Sequence, residues 1–464
     1  MNTARQHMTG KAELSDTAAI IGMGKTGQSV ARFMLDQGNA CEGFDENPVN
    51  LPKGLSIPLY IGPLDAETLS RYGRIVVSPG VAWSHPVLRA LRNADVPVAG
   101  DLEIFSEHFS GTLIGVTGTN GKTTTVSLIE TLLDTLPGGV EAGGNIGIPM
   151  LDLIKQNQAT ERIVLELSSF QLERCQSIHP QWAVLLNLQP DHADMHTDAA
   201  AYEAAKLRLF TQQGKGDTAM LPNGPAWDEL AQKLRARKVR VYRFDIIEGE
   251  CPADGSIAAG LEMADGHQTL FWHQDGKPQH IDIDEIPARG SHQHLNLAVA
   301  AQAAADFGVS ANVIREAMTS FSGLKHRLQY LGFQAGHDWF DDSKATNPDA
   351  TKAALTTFDR VHWICGGLIK GLDLSPLKET ARSHVEHAFI IGSNTECYSK
   401  FLSEAGVPYT TAGQMEQAVT LASQMPDASP VLLSPAAASQ DQFRNYAERG
   451  TAFARAIMQL GGQA

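Results

Sequence analysis

Apolar and polar residues follow one another in a repeating pattern along this chain: a short apolar run, a few small or polar residues, then a longer amphipathic stretch. The segment 17–38 predicts a strand, a glycine-rich turn and a helix that ends with Gly38 as its C-cap. Further strands are predicted at 40–44, which ends at Asp45, and at 74–81. Strands that alternate with helices indicate an α/β unit.

The same alternation continues through two further segments. From 109 to about 322 the pattern predicts a strand at 112–116 and a helix from Thr123. Segment 162–173 predicts a strand that ends in an acid, followed by a Ser-Ser turn, and segment 182–196 predicts an apolar strand that ends in a cluster of Asp and His. Helices are predicted at 199–210 and 290–308, and a small antiparallel addition at 237–285. From about 323 four apolar strands each end in small or polar residues, at 339–347, 361–367, 387–393 and 430–439. Such strands favour open parallel sheets whose ligands bind at the carboxyl edges.

Length and composition agree with this organisation. With 464 residues, 43% hydrophobic and 19% charged, the chain is expected to hold several soluble α/β domains. We predict an extension and three domains, with boundaries at 1–16, 17–109, 110–322 and 323–464. The net charge of −15 argues against a general nucleic-acid or anionic-membrane binder.

Cysteine usage and hydropathy predict a cytoplasmic location. The five cysteines are scattered and show no metal-binding spacing, as is typical of a reducing compartment. No apolar run reaches the roughly 18 residues of a membrane helix. The polar first 16 residues lack the apolar centre of a signal peptide.

Residues 117–124, TGTNGKTT, connect the predicted strand at 112–116 to the predicted helix. Glycines let successive N–H groups point at phosphate oxygens, and the helix N-terminus adds partial positive charge. Lys122 can reach the outer phosphates and the Thr123 hydroxyl can ligate Mg²⁺. Val116 stands where the strict phosphate-loop template has glycine, so the loop is a variant. The order of elements favours ATP-type phosphate binding over a plain glycine-rich turn.

A second glycine pattern, Gly22-x-Gly24-x-x-Gly27, follows the first predicted strand, and Asp45 ends the next one. This spacing matches the dinucleotide fingerprint. Three interpretations stay open: an NAD site, a site for another nucleotide or nucleotide-sugar diphosphate, and a tight turn without a ligand. The pattern requires only a pyrophosphate-like anion at the helix N-terminus, so we favour the second.

Candidate metal ligands follow two predicted strands of the middle segment. Glu166 ends one strand, as a Mg²⁺-binding acid does, and His192 lies in the Asp191-His192-x-Asp194 cluster after the next. Imidazole is an unusual Mg²⁺ ligand, so chemistry alone ranks His192 below Glu166. The alternatives are a salt-bridged acid and a solvated histidine. By residue type alone, Lys206 on its alanine-rich helix is a surface lysine.

Nine motifs occur in order over nearly the whole chain. They are GVTGTNGKTT, GGNIGIP, LELSSFQLE, DHADMH, AAKLR, GLKHR, DDSKATNP, GGLIKG and LLSPAAASQDQF. Together they resemble the Mur ligase family, and DSKATN and SPAAAS-x-DQF resemble its branch that uses D-glutamate. The resemblance implies an α/β chain of three consecutive domains: a Rossmann-like N-terminal domain, a central P-loop ATPase-like parallel-sheet domain and a Rossmann-like C-terminal domain.

The resemblance also implies a reaction in peptidoglycan-precursor synthesis. ATP phosphorylates the alanyl carboxylate of UDP-N-acetylmuramoyl-L-alanine, the amine of D-glutamate attacks the acyl phosphate, and an amide and phosphate form. Mg²⁺ at two sites and lysine side chains would offset the crowded negative charge. Domain closure would exclude water from the acyl phosphate. We expect a monomer with no nucleic-acid or membrane partner.

The resemblance assigns roles by position in the middle segment. The ATP-binding loop comprises Gly118, Thr119, Asn120, Gly121, Lys122, Thr123 and Thr124. The implied metal ligands are Thr123, Glu166, His192 and Lys206. Lys206 matches a carbamylated lysine; that modification turns a cation into an anion and requires an amine that can be neutral. The implied catalytic residues are Lys122, Lys206, His192 and Asn145.

Outside that segment the resemblance implies three further sets of contacts. ATP would also contact Asn296, His326, Arg327 and Asp342. The UDP-linked substrate would contact Lys25, Thr26, Asp45, Ser78, Gly80, Asn145 and His192, and D-glutamate would contact Thr346, Lys370, Ser439 and Tyr446. Seven of these residues have a simpler interpretation without the resemblance: two loop hydroxyls, a solvated lysine, an aromatic packed on a helix, an exposed basic pair and a turn former, which are Thr346, Ser439, Lys370, Tyr446, His326, Arg327 and Asn145.

Three positions depart from the family pattern. Gln293 stands where asparagine is usual, although Asn296 keeps its place; Leu368 replaces an acid found in some members; and Ala437 replaces a cysteine. Three rival functions stay open. One is a sister ligase with another amino-acid acceptor, another is an NAD-linked oxidoreductase using Gly22–Gly27, and the third is a non-catalytic nucleotide-sugar sensor.

Overall fold

The structure is a computed structural model that describes residues 15–145, 147–154, 161–189, 198–250, 252, 255–264, 267–369 and 373–460. It divides into two compact units, one ending at Arg243 and the other beginning at Phe244. Parallel sheets flanked by helices dominate both units, which confirms the predicted α/β class. The three predicted domain boundaries stay predictions.

The first sheet of the first unit has five parallel strands in the order β3-β2-β1-β4-β5. Its elements are β1 (Ser15–Ile21), α1 (Lys25–Asp36), β2 (Cys41–Asp45), β3 (Leu59–Ile61), α2 (Ala66–Leu69), β4 (Tyr72–Val77), α3 (Pro86–Asn93), β5 (Val98–Gly100) and α4 (Asp101–His108). Ile20 and Ile21 are fully buried in two separate apolar clusters, because helices cover both faces. The strand order reverses between β1 and β4, where such sheets bind ligands.

The second sheet of this unit also consists of parallel strands, in the order β10-β9-β6-β8-β7. Its elements are β6 (Thr112–Thr117), α5 (Lys122–Leu133), β7 (Glu141–Gly144), β8 (Arg162–Glu166), α6 (Ser169–Glu173), β9 (Trp182–Leu185), α7 (Ala199–Leu207), β10 (Thr218–Pro222) and α8 (Asp228–Ala236). The predicted strand and helix around the phosphate loop are confirmed to within one residue. Val116 is buried in central β6, opposite Glu166 of β8, so the glycine of the strict template is replaced inside the strand.

The division between the units falls within β11 (Arg240–Glu248). The second unit continues with β12 (Ala259–Ala264), β13 (His267–Gln274), β14 (Lys277–Asp282), α9 (Ser291–Asp306) and α10 (Ala311–Ser320). The predicted antiparallel addition is confirmed for β12, β13 and β14. It is wrong for β11, which pairs parallel to β12 because a long connection rather than a hairpin turn joins them. The small side chains of α9 allow it to pack closely against β12 and β13.

A six-stranded sheet completes the second unit, in the order β15-β16-β20-β17-β18-β19. Its elements are β15 (Gln329–Gln334), β16 (His337–Asp341), α11 (Pro348–Leu355), β17 (Val361–Gly366), α12 (Lys378–His384), β18 (Val385–Ile391), α13 (Thr395–Ala405), β19 (Tyr409–Gly413), α14 (Met415–Ala422), β20 (Val431–Leu433) and α15 (Tyr446–Leu460). All pairings are parallel except the β15–β16 hairpin. The four predicted strands are confirmed as β16, β17, β18 and β20; the edge strands β15 and β19 are half-exposed and lack a continuous apolar signal.

Among the described residues, no helix combines the length and apolar character needed to cross a bilayer.

Candidate nucleotide and substrate sites

The loop between β6 and α5 is shaped to receive an anion. Gly118 and Gly121 have φ angles of +154° and +87°, which only glycine adopts readily. A Cβ at Gly118 would lie 3.0 Å from the Cβ of Leu186. Gly121 is the N-cap of α5 and provides no side-chain cap, and the N-terminus of this twelve-residue helix carries partial positive charge that favours an anion.

Residues after β9 hold the phosphate loop in place. The N–H of Thr119 donates to the carbonyl oxygen of Asn187 at 3.1 Å, and the N–H of Asn120 donates to Asn187 Oδ1 at 2.8 Å. Thr119 Oγ1 donates to the carbonyl oxygen of Gln189 at 3.2 Å. The sequence analysis missed Asn187 and Gln189; their position directly after a buried strand of this sheet was the available signal.

Two lysine side chains converge on one carbonyl oxygen of this loop. Lys122 Nζ donates to the carbonyl oxygens of Gly118 and Thr119 at 2.7 and 2.8 Å, and Lys206 Nζ donates to that of Gly118 at 2.8 Å. Lys206 is only 2% exposed and lies 4.7 Å from the centre of the Tyr202 ring. The surface-lysine interpretation is therefore wrong. Two ammonium groups on one acceptor concentrate positive charge where phosphates would bind.

Glu166 links the phosphate loop to Asn145. Its carboxylate accepts hydrogen bonds from Thr123 Oγ1 at 2.6 Å and from Asn145 Nδ2 at 3.0 Å, and it is 3% exposed. A backbone hydrogen bond joins the same two residues: the N–H of Asn145 donates to the carbonyl oxygen of Glu166 at 2.8 Å. Gly144 has a φ of +108°, and a Cβ there would lie 2.4 Å from that carbonyl oxygen. Thr124, also in the predicted set, is buried in α5.

The donor chemistry around Glu166 fits Mg²⁺. A carboxylate and a hydroxyl are hard oxygen ligands, and Mg²⁺ normally takes its remaining ligands from phosphates and water. Within the part of the chain that the structure describes, no group of three or more His, Cys, Asp or Glu side chains could hold a metal without such help. His192 lies outside the described residues, so its predicted role as a ligand stays a prediction.

The predicted contacts to the UDP-linked substrate that precede residue 100 share one edge of the first sheet. Asp45 Oδ2 accepts from the N–H of Met23 at 2.7 Å, so the end of β2 closes onto the glycine turn after β1. Lys25 is exposed in the first turn of α1, whose N-cap has no side-chain bond, and Thr26 follows it half-buried. The pattern Gly22-x-Gly24-x-x-Gly27 thus lies in the predicted strand–turn–helix arrangement, and its role as an anion site stays a prediction.

The turn after β4 completes this edge. Ser78 Oγ donates to the carbonyl oxygen of Gly22 at 2.6 Å, and the N–H of Ser78 donates to that of Ile21 at 2.9 Å. Gly80, at the tip of the turn, is exposed. The structure therefore brings Ser78 and Gly80 together with the glycine turn, across the position where the strand order reverses.

In the second unit, Asp342 is held inside the protein. Oδ2 accepts from Ser434 Oγ at 2.9 Å, and Oδ1 accepts from the N–H of Leu328 at 3.1 Å. Burial raises the pKa of Asp342 to about 7, against the smaller opposing effect of these hydrogen bonds. The predicted ribose contact of Asp342 stays a prediction, although both of its oxygens have protein partners.

His326 and Lys344 come from two different motifs, and they meet Tyr446, the first residue of α15, in one cluster. His326 Nδ1 lies 2.6 Å from Asp341 Oδ2, and its ring centre lies 6.3 Å from that of Tyr446. Lys344 Nζ lies 4.3 Å from the centre of the same tyrosine ring. The exposed-pair interpretation is wrong for His326, whose side chain is 15% exposed, and Arg327 is half-buried beside it.

The other predicted residues of this unit lie in three settings. Asn296 is buried in α9, Thr346 is half-buried before α11, and Lys370 lies outside the described residues. Ser439 is 2% exposed, and its carbonyl oxygen accepts from the N–H of Phe443 at 2.8 Å. The nucleotide and D-glutamate roles of these residues stay predictions.

Arg449 is a buried residue that the sequence analysis missed. It donates from Nε to Ser343 Oγ at 3.0 Å, from Nη2 to the carbonyl oxygen of Ser343 at 2.8 Å and from Nη1 to that of Ala437 at 3.0 Å. It therefore joins the DSKATN and SPAAAS motifs. No local pattern announces this role, because its partners are distant in sequence.

The three departures from the family pattern have distinct surroundings. Ala437 is fully buried, so a small side chain fits beside Arg449. Leu368 pairs through its backbone with Ala438, in both directions. Gln293 Nε2 donates to the carbonyl oxygen of Arg327 at 3.4 Å, whereas its Oε1 has no hydrogen-bond partner.

Comparison with known proteins covers almost the whole chain. Family models match residues 16–100 (Mur ligase MurD-like, N-terminal domain), 116–304 (Mur ligase middle domain) and 326–437 (Mur ligase, glutamate ligase domain). The UDP-N-acetylmuramoylalanine--D-glutamate ligase of Hahella chejuensis is 36% identical over 457 residues, covering 95% of this chain and 98% of that protein. The enzyme of the same name from Acidobacterium capsulatum is 34% identical over 460 residues, covering 96% of each chain.

Solved structures show the same fold at low sequence identity. UDP-N-acetylmuramate-alanine ligase MurC from Thermotoga maritima has a TM-score of 0.57 and 17% identity, covering 97% of this chain and 100% of that one. MurF from Acinetobacter baumannii has a TM-score of 0.58 and 18% identity, covering 97% of this chain and 92% of that one. The family models, the full-length relatives and the shared fold agree: the chain belongs to the Mur ligase family.

Proposed function

We propose that this protein is an ATP-dependent ligase that joins D-glutamate to UDP-N-acetylmuramoyl-L-alanine through an acyl phosphate, in peptidoglycan-precursor synthesis. The full-length relatives that carry this activity in their names support the substrates. One structural observation carries the reaction class: Lys122 and Lys206 converge on the loop that also presents Thr123 to Glu166. A carboxylate becomes a good acylating group only when phosphorylated, and this site is built to bind phosphates.

The side chains of the phosphate loop have separate tasks in this reaction. The N–H groups of the first turn of α5 and the Lys122 ammonium bind and orient the phosphates of ATP. Thr123 and Glu166 hold Mg²⁺, which offsets the negative charge of the transferred phosphoryl group when bound. Asn145, fixed by Glu166, lies where it can donate to an oxygen of the alanyl carboxylate or of its phosphate.

The remaining substrates bind at the two other predicted places. The turn at Gly22–Gly27 and the loop at 78–81 bind the UDP part, because the glycine turn leads into the N-terminus of α1 and the loop contacts that turn at the same sheet edge. D-glutamate binds near Thr346, Ser439 and Tyr446, where hydroxyl groups suit a dicarboxylate. The protein acts as a monomer in the cytoplasm.

We further propose that Lys206 is carbamylated and supports a second Mg²⁺. Its nearly complete burial beside Lys122 supports this, since a second cation there is unfavourable and a carbamate would convert it into an anionic oxygen ligand. Lys206→Ala should lose most turnover and recover part of it with added short carboxylates. Lys122→Ala, which removes a phosphate-binding cation, should not be rescued; equal rescue of both variants would contradict the carbamate.

The test of the main proposal is phosphate release from ATP in the presence of UDP-N-acetylmuramoyl-L-alanine, with four acceptors compared: D-glutamate, L-glutamate, glycine and meso-diaminopimelate. Release should depend on D-glutamate and on Mg²⁺, and mass spectrometry should find the amide product. Stimulation by another acceptor alone would identify a sister ligase. A rate of phosphate release that is the same with and without each acceptor would refute the proposal.

A further inference from the structure

We propose that Arg174, which lies outside all the predicted contact sets, is a positioning residue for the UDP-linked substrate. It holds the turn at 78–81 in its binding conformation from the neighbouring domain. This inference rests on the proposed function, because that function assigns the turn to the UDP-linked substrate. Arg174 would act through the turn and would not touch the substrate.

The guanidinium of Arg174 reaches both ends of this turn. It donates from Nη1 to the carbonyl oxygen of Ser78 and from Nη2 to that of Val81. Its Cζ also lies 5.4 Å from the ring centre of Trp83, just beyond the turn, and the residue is 3% exposed. A planar, charged fork that bonds two carbonyl oxygens fixes their separation in a way that a single contact cannot.

Apart from Arg174, the turn is held mainly at its first residue, Ser78, whose N–H donates to the carbonyl oxygen of Ile21. Within it, only the N–H of Val81 donates to the carbonyl oxygen of Ser78, at 3.1 Å, and Gly80 at the tip is exposed. Ser78 connects this turn to the glycine turn after β1, because its Oγ donates to the carbonyl oxygen of Gly22. Arg174 therefore stabilises the turn after β4 directly and the glycine turn after β1 through Ser78.

Arg174 is itself held in place by the backbone of both domains. The N–H of Gly100 donates to its carbonyl oxygen at 3.2 Å, and a Cβ at Gly100 would lie 2.9 Å from the Cβ of Arg174. On the other side, Ser168 and Gln171 form a capping box that fixes α6, which Arg174 ends. This packing fixes the main chain of Arg174, from which its side chain reaches the turn.

Charge balance allows a buried cation here. Asp101 is 3% exposed, has an Oδ1 without a hydrogen-bond partner and interacts favourably with Arg174, as does the half-buried Glu173. Burial lowers the pKa of Arg174 to about 10, so the guanidinium stays charged at neutral pH. The charge-assisted bonds to the turn are therefore present under working conditions.

One short segment thus serves two sites. Glu166 ends β8 and faces the phosphate loop, and eight residues later Arg174 holds the substrate turn. Displacing this segment would disturb both places, whereas shortening only the Arg174 side chain should disturb the turn. This difference gives the proposal a specific signature: binding of the UDP-linked substrate should weaken while ATP binding is kept.

The test compares Arg174→Ala and Arg174→Lys with Arg243→Ala. Arg243 is a matched control in the same unit: it is buried and donates to the carbonyl oxygen of Pro222 at 2.8 Å and to Asp228 Oδ1 at 2.7 Å. Calorimetric titration measures Kd for UDP-N-acetylmuramoyl-L-alanine and for ATP, and thermal unfolding confirms that each variant is folded. Steady-state kinetics adds KM for all three substrates.

We expect Arg174→Ala to raise Kd and KM for the UDP-linked substrate about 10- to 100-fold, with changes under about threefold for ATP and D-glutamate. Arg174→Lys can donate to one of the two carbonyl oxygens, so its Kd and KM for the UDP-linked substrate should lie between those of the wild type and Arg174→Ala. If the alanine variant does not fold, the lysine variant alone tests the proposal. Arg243→Ala should lose stability without this shift.

Two results would overturn the inference: a folded Arg174 variant that binds the UDP-linked substrate like the wild type, or equal losses for every substrate in the Arg174 and Arg243 variants. If the wild-type protein binds no UDP-linked sugar, the proposed function itself fails. The wild-type titration therefore separates the two failures.

Discussion

The buried carboxyl of Asp342 should make the stability of the second unit depend on pH in an unusual direction. Its pKa rises from 3.8 to about 7 through burial, so the native state holds the proton more tightly than the unfolded chain does. This group therefore stabilises the fold most below pH about 4, and the contribution is lost as the pH rises through 7. Most acidic residues have the opposite effect.

The size of the effect follows from the two pKa values. About three pH units at about 1.4 kcal/mol each correspond to about 4 kcal/mol between low and neutral pH. Asp342→Asn removes the titration but keeps the shape. Its Oδ1 can still accept from the N–H of Leu328, and the Ser434 hydroxyl can turn to accept from the new amide, because Thr351 Oγ1 lies 3.1 Å away as an alternative acceptor.

The assay is urea unfolding of the wild type and Asp342→Asn at pH 5, 6, 7 and 8, followed by tryptophan fluorescence. Buried Trp339 and Trp363 report on the same sheet. Between pH 5 and pH 7 the difference in unfolding free energy should move by about 2–3 kcal/mol in favour of asparagine. Asp338→Asn, a half-buried carboxylate on β16 that accepts from Tyr330 Oη, provides the control. If the free energy of unfolding of the wild type and that of Asp342→Asn change with pH in parallel, to within about 0.5 kcal/mol, the reasoning is refuted.

Three further substitutions have expected outcomes. Glu166→Gln keeps the side-chain shape but removes the anionic Mg²⁺ ligand, so ligase turnover should fall at least about 100-fold with little change in thermal unfolding. Gly144→Ala should cost about 2–4 kcal/mol in urea unfolding, because its Cβ would meet a carbonyl oxygen at 2.4 Å and its φ is positive. Arg449→Met should cost about 3–5 kcal/mol in the same assay, because it leaves buried carbonyl oxygens of Ser343 and Ala437 without their charged donor.

Each of these has a result that would contradict it. Glu166→Gln with near-normal turnover at saturating Mg²⁺ would show that the carboxylate is not a metal ligand. Gly144→Ala as stable as the wild type would show that the turn relaxes freely. For Arg449→Met, an unchanged unfolding curve would mean that apolar packing compensates for the lost hydrogen bonds. A surface variant, Lys25→Met, serves as the stability control for all three because Lys25 is exposed.

Motifs confined to one strand, turn and helix could be predicted from sequence. The phosphate loop, the glycine turn at Gly22–Gly27 and the acid at the end of β8 all lie where the sequence placed them. Their signals are local, because glycine conformation, helix N-termini and apolar periodicity depend on residues a few positions apart. The NAD-linked interpretation of the second motif is no longer favoured, because the chain belongs to the Mur ligase family.

By itself, then, the sequence determined the α/β alternation, the anion-binding turns and the family. Only the tertiary structure decided that Lys206 is buried against the phosphate loop, that Arg449 joins two distant motifs and that the carboxyl of Asp342 is largely buried. Burial and pairing of a charged side chain depend on which distant strands and helices surround it. No local pattern of residue types carries that information, because the partners meet only when the sheets assemble.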